Sequence, residues 1–188
     1  IMASEIKANK LSPATGTDVT LGDSGDTFTV PSGATIVNSG TATGFGSDNT
    51  PSFSVDLSAN QSIEDSTWTK ITFDREQWDT DSAFASNKFT VPSGEDGKYL
   101  FCAGTRVAGL DDEEQLSTKF VKNGGDVERG QVVFASPGSG HAGWNQATIT
   151  LDLAASDYIE FYVHHNEGAA QDATAGYTFM SGFKLVGV

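Results

Sequence analysis

Cysteine is nearly missing from this chain, and basic residues are scarce. The one cysteine, Cys102, has no intrachain partner, which excludes a disulfide and a Cys-rich zinc site within one copy. Free cysteine is among the most buried residue types, so Cys102, inside an apolar run, is expected to be a small core hydrophobe. There are 11 Lys+Arg against 25 Asp+Glu, a formal net charge of −14. A phosphate backbone needs a basic face, so no nucleic-acid partner is expected. No membrane partner is expected either, since an anionic surface repels such a chain. An acidic surface does keep an exposed protein soluble, and it suits divalent cations. No apolar run approaches the ~18 residues of a membrane-spanning helix. The first residues, Ile1 to Leu11, lack the apolar centre of a secretory signal. A protein of this kind that works outside a cell is expected to leave by lysis or as part of a particle. No helical period is sustained anywhere.

What the chain has is alternation. Phe53, Val55 and Leu57 alternate with Ser54, Asp56 and Ser58. Trp68 to Phe73 reads as a second strand, and Tyr99 to Arg106 as one that is wet on neither face. Gln115 to Val121 leads into Asn123-Gly124, a strong hairpin signal, answered by Gln131 to Phe134. Ala147, Ile149, Leu151 and Leu153 alternate with polar residues, and Tyr158 to Val163 and Thr178 to Val186 close the set. This many strands without a helix predicts an all-β antiparallel sandwich over residues 51–188.

Before it lies a Gly/Ser/Thr-rich stretch, residues 16–50, preceded by a short polar segment, residues 1–15, which reads as a frayed terminus or docking peptide. Thr17–Leu21, Thr27–Val30 and Ala34–Asn38 read as short strands cut by turns. Strands with one or two apolar side chains cannot stand alone. The stretch is therefore either disordered or wound with two other copies that share a seam. Its regular spacing and β-branched residues favour the second, with Val19, Leu21, Phe28, Val30 and Ile36 on the common axis of a shaft. The hexapeptide Phe28-Thr29-Val30-Pro31-Ser32-Gly33 recurs as Phe89-Thr90-Val91-Pro92-Ser93-Gly94, a strand ended by Pro and turned by Gly.

Several segments taken in order carry a family resemblance. They are Pro51-Ser52-Phe53-Ser54-Val55, Trp68 to Asp74, Phe89-Thr90-Val91-Pro92 followed by Gly97-Lys98-Tyr99-Leu100-Phe101, Lys122-Asn123-Gly124, Tyr158 to Val163, and Phe179-Met180-Ser181-Gly182-Phe183. Together they resemble the globular domain of complement component one q and, through it, the trimeric tumour-necrosis-factor-like jelly rolls. The stem, from Val19 to Phe28, Pro31 to Thr35 and Asn38 to Gly46, is similar to bacteriophage fibre proteins. The resemblance implies a jelly-roll head, a homotrimer with an intertwined β-stranded shaft, and recognition by the exposed end of the head. Gly is not every third residue, so there is no collagen stem and immune functions do not carry over.

Several clusters are candidate sites. Asp111-Asp112-Glu113-Glu114 is the densest acidic run, and calcium is the cation it suits, although the spacing is not that of an EF-hand. In some members of the resembled family the matching loop helps hold calcium near the trimer axis. The plainer reading is a solvated loop. Trp78, flanked by Asp79 and Asp81, offers an aromatic beside carboxylates, which with His141 makes the candidate receptor-binding set; a loop Trp covering the core edge is the plainer reading. His164 and His165 point to opposite faces of a strand and cannot chelate one ion within a chain, though either could form a ring in a trimer. Gly138-Ser139-Gly140-His141-Ala142-Gly143 matches a dinucleotide fingerprint by letter, but the next residues alternate as a strand, so it reads as a flexible surface loop. No residue set suggests a catalytic triad.

The function expected is a non-enzymatic virion fibre or spike whose trimeric heads attach to a host surface glycan or protein, with the N-terminus held by other virion proteins. The alternatives are a head-decoration or collar protein that stabilises the particle, and a polysaccharide-degrading spike on the same scaffold.

Overall fold

A computed structural model describes residues 11–37, 39 and 49–185. Most of the N-terminal segment read as a frayed terminus or docking peptide, the strand end at Asn38, the link from Gly40 through Gly46 and the strand end at Val186 lie outside the described residues. The chain divides into two units, Ile1–Phe45 and Gly46–Val188.

In the first unit, residues 11–37 form turns and extended chain with no strand. The short strands expected there do not form in one copy. The reason is physical: each offers one or two apolar side chains, and a single copy supplies nothing to pair with. Leu21, Phe28 and Val37 are 63%, 69% and 82% exposed.

The described residues of the second unit form fourteen strands: β1 (Ser52–Asp56), β2 (Gln61–Ile63), β3 (Thr69–Lys70), β4 (Arg75–Asp79), β5 (Phe84–Ala85), β6 (Lys88–Thr90), β7 (Gly97–Leu110), β8 (Gln115–Lys122), β9 (Gly125–Asp126), β10 (Val132–Ala135), β11 (His141–Leu153), β12 (Tyr158–His165), β13 (Gln171–Ala173) and β14 (Phe179–Lys184). They build two antiparallel sheets. In the first sheet β11 pairs with β7, whose other side holds β14 and, further along, β13; β1 and then β4 follow β14, and β2 pairs with β13. In the second the order is β10-β8-β12-β6-β5, with β9 on β8 and β3 on β12. The principal strands are, in chain order, β1, β6, β7, β8, β10, β11, β12 and β14. The first, eighth, third and sixth of them lie side by side in one sheet, and the second, seventh, fourth and fifth in the other. That connectivity is an antiparallel jelly roll.

Alternation explains the layers. Along β11, Asn145, Ala147, Ile149, Leu151 and Leu153 point inward and Trp144, Gln146, Thr148, Thr150 and Asp152 outward. Phe53, Phe89, Tyr99, Phe101, Phe120 and Phe161 are sealed in the core, and Phe53 stacks on Phe89 at 5.1 Å between ring centroids. A cluster of this size stabilises by its apolar area, at about 25 cal/mol per Å² removed from water. Cys102 is not in this core. It lies on the outward face of β7, half-buried, with Gln146 Nε2 3.2 Å from its sulfur. Phe101 and Ala103 already take the inward positions on either side of it.

The strands also fix the two ends of the sandwich. Ser52, where β1 begins, pairs with Phe183 near the end of β14, so the chain enters and leaves the sandwich side by side. The far end collects the β7–β8, β10–β11, β12–β13 and β2–β3 connections. There Asp111 N–H donates to Glu167 Oε2 (2.7 Å), Glu113 N–H to the Ser136 carbonyl (3.1 Å) and Gly168 N–H to Asp65 Oδ1 (2.7 Å).

Candidate recognition surfaces

The two ends separate the residues singled out by sequence. Trp78 and Asp79 belong to β4, an edge strand paired to β1 through a register shift at Ser54/Val55. A strand there was not expected, because none of Arg75 to Trp78 faces the core and no alternation marks them. An edge strand held by its backbone ladder needs none, and a bulge twists the edge away from further pairing. Trp78, opposite Ser54, is 53% exposed and walls a shallow groove floored by Ser54, Ser181 and Phe183 on the outer face of the first sheet. Asp79 serves the backbone instead. Its two carboxylate oxygens accept the N–H groups of Ala83 and Phe84, at 3.0 and 2.9 Å. That holds a turn in which Asp81 takes a positive φ of 64°. Asp81 is exposed beside it.

His141 lies at the other end. It opens β11, opposite Leu110, and is exposed. The fingerprint-like segment is therefore partly strand, and its last glycine is structural. A Cβ on Gly143 would sit 2.6 Å from Leu110 Cδ1.

The acidic run joins β7 to β8. Asp111, Asp112 and Glu113 are exposed, while Glu114 is half-buried with a buried Oε2 that has no hydrogen-bond partner. Among the described residues no three His, Cys, Asp or Glu side chains converge as metal ligands. One copy therefore does not bring the four acids together as a calcium cage. Glu64, Asp65 and Glu167 share this end, which is acidic throughout.

The histidines divide as strand geometry requires. His165 is fully buried; its Nε2 donates to the Ile63 carbonyl at 2.9 Å, and its Nδ1 accepts from Glu167 N–H at 3.3 Å. His164 faces outward against Trp68, 5.2 Å between ring centroids, and burial holds its pKa below the usual imidazole value. Lys119 covers the same indole at 4.2 Å and pairs with Asp126 at 2.7 Å.

Sequence reasoning missed the richest surface, the outer face of the first sheet. Leu100, Phe179 and Phe183 are half-buried there, and Trp144 and Tyr177 are 43% and 50% exposed. Trp144 and Tyr177 meet edge-to-face at 5.6 Å, with the Arg106 guanidinium 5.5 Å over the Tyr177 ring. Among the described residues Arg106 has no carboxylate partner within ion-pair distance. One signal was present: Trp144 stands alone among polar residues on the wet side of an alternating strand.

No protein-family model and no curated protein sequence matches the chain. Among solved structures it is similar to the globular domain of zebrafish complement 1qA protein, with 18% identity and a TM-score of 0.48, covering 72% of this chain and 97% of that one. Among the described residues no helix is long and apolar enough to cross a membrane.

Proposed function

We propose that this chain is a non-enzymatic, homotrimeric attachment protein of a virus particle, whose jelly-roll head meets a host surface glycan or protein. The observation that carries the reading is the two-ended head. The chain enters and leaves at one end, and four connections with seven carboxylates and no Lys or Arg gather at the other. The strands by which the chain enters and leaves the sandwich lie away from those loops, which leaves the loops free to touch a surface. The outer face of the first sheet supplies the self-association: Leu100, Phe179, Phe183, Trp144 and Tyr177 form an apolar band of the kind that obligate interfaces bury. Three copies multiply a weak contact by avidity. The Gly/Ser/Thr-rich stem, with its exposed apolar residues, supports the fibre setting. His141, at the loop end, marks a place for receptor contact, whereas the Trp78 groove shares Phe183 with the self-associating face and belongs to that face. Calcium belongs to the trimer in this reading, because only several copies bring enough of Asp111, Asp112, Glu113 and Glu114 together.

Purified protein is expected to scatter light as a trimer at low micromolar concentration, to adsorb to host cells and to block infection. A monomer refutes the trimer. A trimer that never adsorbs but restores the stability of particles lacking it assigns the decoration role instead. Release of reducing sugar ends from host polysaccharide assigns the enzymatic one.

A further inference from the structure

The hexapeptide that occurs twice serves as an internal control for the stem. In the head, Phe89-Thr90-Val91 runs through β6 and just beyond it. Phe89 and Val91 are 0% and 2% exposed, both turned to the core. The strand ends in a turn, Pro92 to Glu95, closed by a 3.2 Å bond from Glu95 N–H to the Pro92 carbonyl, with Gly94 at φ +84°. In the stem the same six residues make the same turn. Ala34 N–H donates to the Pro31 carbonyl at 3.1 Å, and Gly33 also sits at φ +84°. The local geometry is thus shared, and the surroundings differ. Phe28 is 69% and Val30 39% exposed, and among the described residues the backbone of 27–30 has no ladder partner.

The turn also repeats along the stem. Asp23 to Asp26 closes in the same way, Asp26 N–H to the Asp23 carbonyl at 3.0 Å, with Gly25 at φ +96°. The two turns, each with Ser-Gly at the centre, start eight positions apart. Phe28 and Ile36 stand at the same offset from them, and Ile36 is 51% exposed.

We infer that the stem is a seam between copies of this chain with an eight-residue layer repeat, in which Phe28 and Val30 face the partner copies, Thr29 faces solvent, and Ile36 occupies the next layer. The inference rests on the homotrimer proposed above and assigns the face and register of its shaft. The occupant is a second and third copy because the segment lacks two things at once. It needs ladder partners for its backbone and cover for its apolar side chains, and an identical extended segment supplies both. Side chains alternate along a strand, so residues 28 and 30 share a face that 29 cannot. A buried strand of this composition inside its own fold, at 89–91, already adopts that parity.

Disulfide trapping in the full chain tests it. Single substitutions Phe28→Cys, Thr29→Cys, Val30→Cys and Ile36→Cys are made in a Cys102→Ser background and oxidised with copper–phenanthroline. A disulfide needs Cα atoms within about 7 Å. Phe28→Cys, Val30→Cys and Ile36→Cys are expected to give a covalent dimer on a denaturing gel at least tenfold faster than Thr29→Cys. A Phe28→Cys chain co-assembled with an Ile36→Cys chain is expected to give no mixed disulfide. Light scattering on each variant separates the two levels of the reading. Trimers in which Thr29→Cys links as fast as its neighbours, in which 28 links to 36, or in which none links, overturn the seam and leave the trimer standing. Monomers overturn both.

Discussion

Gly182 shows how tightly single atoms constrain this head. It lies on β14 with its missing side chain aimed inward, between the rings of Phe53 and Phe101. A Cβ there would come within 2.6 Å of Phe101 Cδ1 and 2.9 Å of Phe53 Cε1. Both rings are fully buried and belong to the central aromatic stack, so neither has room to retreat. Overpacking of this kind typically costs about 1–3 kcal/mol. Gly182→Ala is expected to lower the unfolding free energy by that amount in a denaturant titration with an unchanged slope. Gly104 supplies a contrast on the opposite face. A Cβ there would meet Phe179 at 2.9 Å, but that ring lies on the outer surface and is only half-buried. Neither requirement was legible in the sequence, where Gly182 reads as one more small residue in a strand. The size of a neighbour across a sheet is a tertiary fact. That β14 alternates was legible, because a pleat has a period of two, but which face is the core was not: the larger apolar pair, Phe179 and Phe183, turns outward, and Met180 and Gly182 turn inward.

Among the elements, the join between the β8–β9 hairpin and the β11–β12 turn carries the clearest electrostatic signature. Asn123 and Gly124 both take positive φ, 52° and 80°, as a two-residue hairpin turn requires. The Asn123 side chain then accepts Tyr158 N–H at 2.9 Å and donates to Asp157 Oδ1 at 2.6 Å. Asp157 also accepts Ala154 N–H and pairs with Lys122 at 2.8 Å. The Lys122 and Asn123 side chains, with that N–H, hold its carboxyl at about 2, below the ordinary 3.8. A folded-state value below the unfolded one stabilises fully above about pH 4, and the contribution is lost as pH falls toward 2. Asp157→Asn is therefore expected to lower the melting temperature at pH 6 and to flatten its decline between pH 4 and 2, measured by circular dichroism.

The hairpin was readable because Asn-Gly states its own backbone conformation. The β4 edge was not, because a strand held only by its ladder to β1 has no hydrophobic period to display. The plainer reading made Trp78 a loop residue over the core edge; it is instead an exposed residue of β4 that walls a groove whose other side comes from β14, distant in sequence. Asp79 looked like a free carboxylate because hydrogen bonds to the backbone four and five residues on leave no mark in composition.

For the whole molecule, charge and assembly are the governing terms. The far end of one head gathers Asp111, Asp112, Glu113 and Glu114 with Glu64, Asp65 and Glu167, and the proposed trimer would carry three such sets. Like charges at such spacing repel unless a counter-ion intervenes, and salt screens the exposed part. A cation that binds the folded trimer and not the unfolded chain raises stability by RT ln(1 + [L]/Kd), about 2.7 kcal/mol at a hundredfold excess over Kd. Calcium chloride is expected to raise the melting temperature above that in sodium chloride of equal ionic strength. Asp112→Asn combined with Glu114→Gln is expected to abolish the difference. Identical melts in the two salts would leave the loop as a hydrated connection. The jelly roll itself was legible from strand count and spacing. The apolar outer face was not, because outward positions declare their partners only when a second surface is present.

The side-by-side arrangement of β1 and β14 has a mechanical consequence. A load applied through the residues before Ser52, against a contact at the far loops, pulls along the axis of β1. The ladders from β1 to β14 and to β4 then share that load in shear, with their hydrogen bonds strained together rather than opened one by one as in peeling. A ladder loaded this way yields at a higher force than one that is opened from an end.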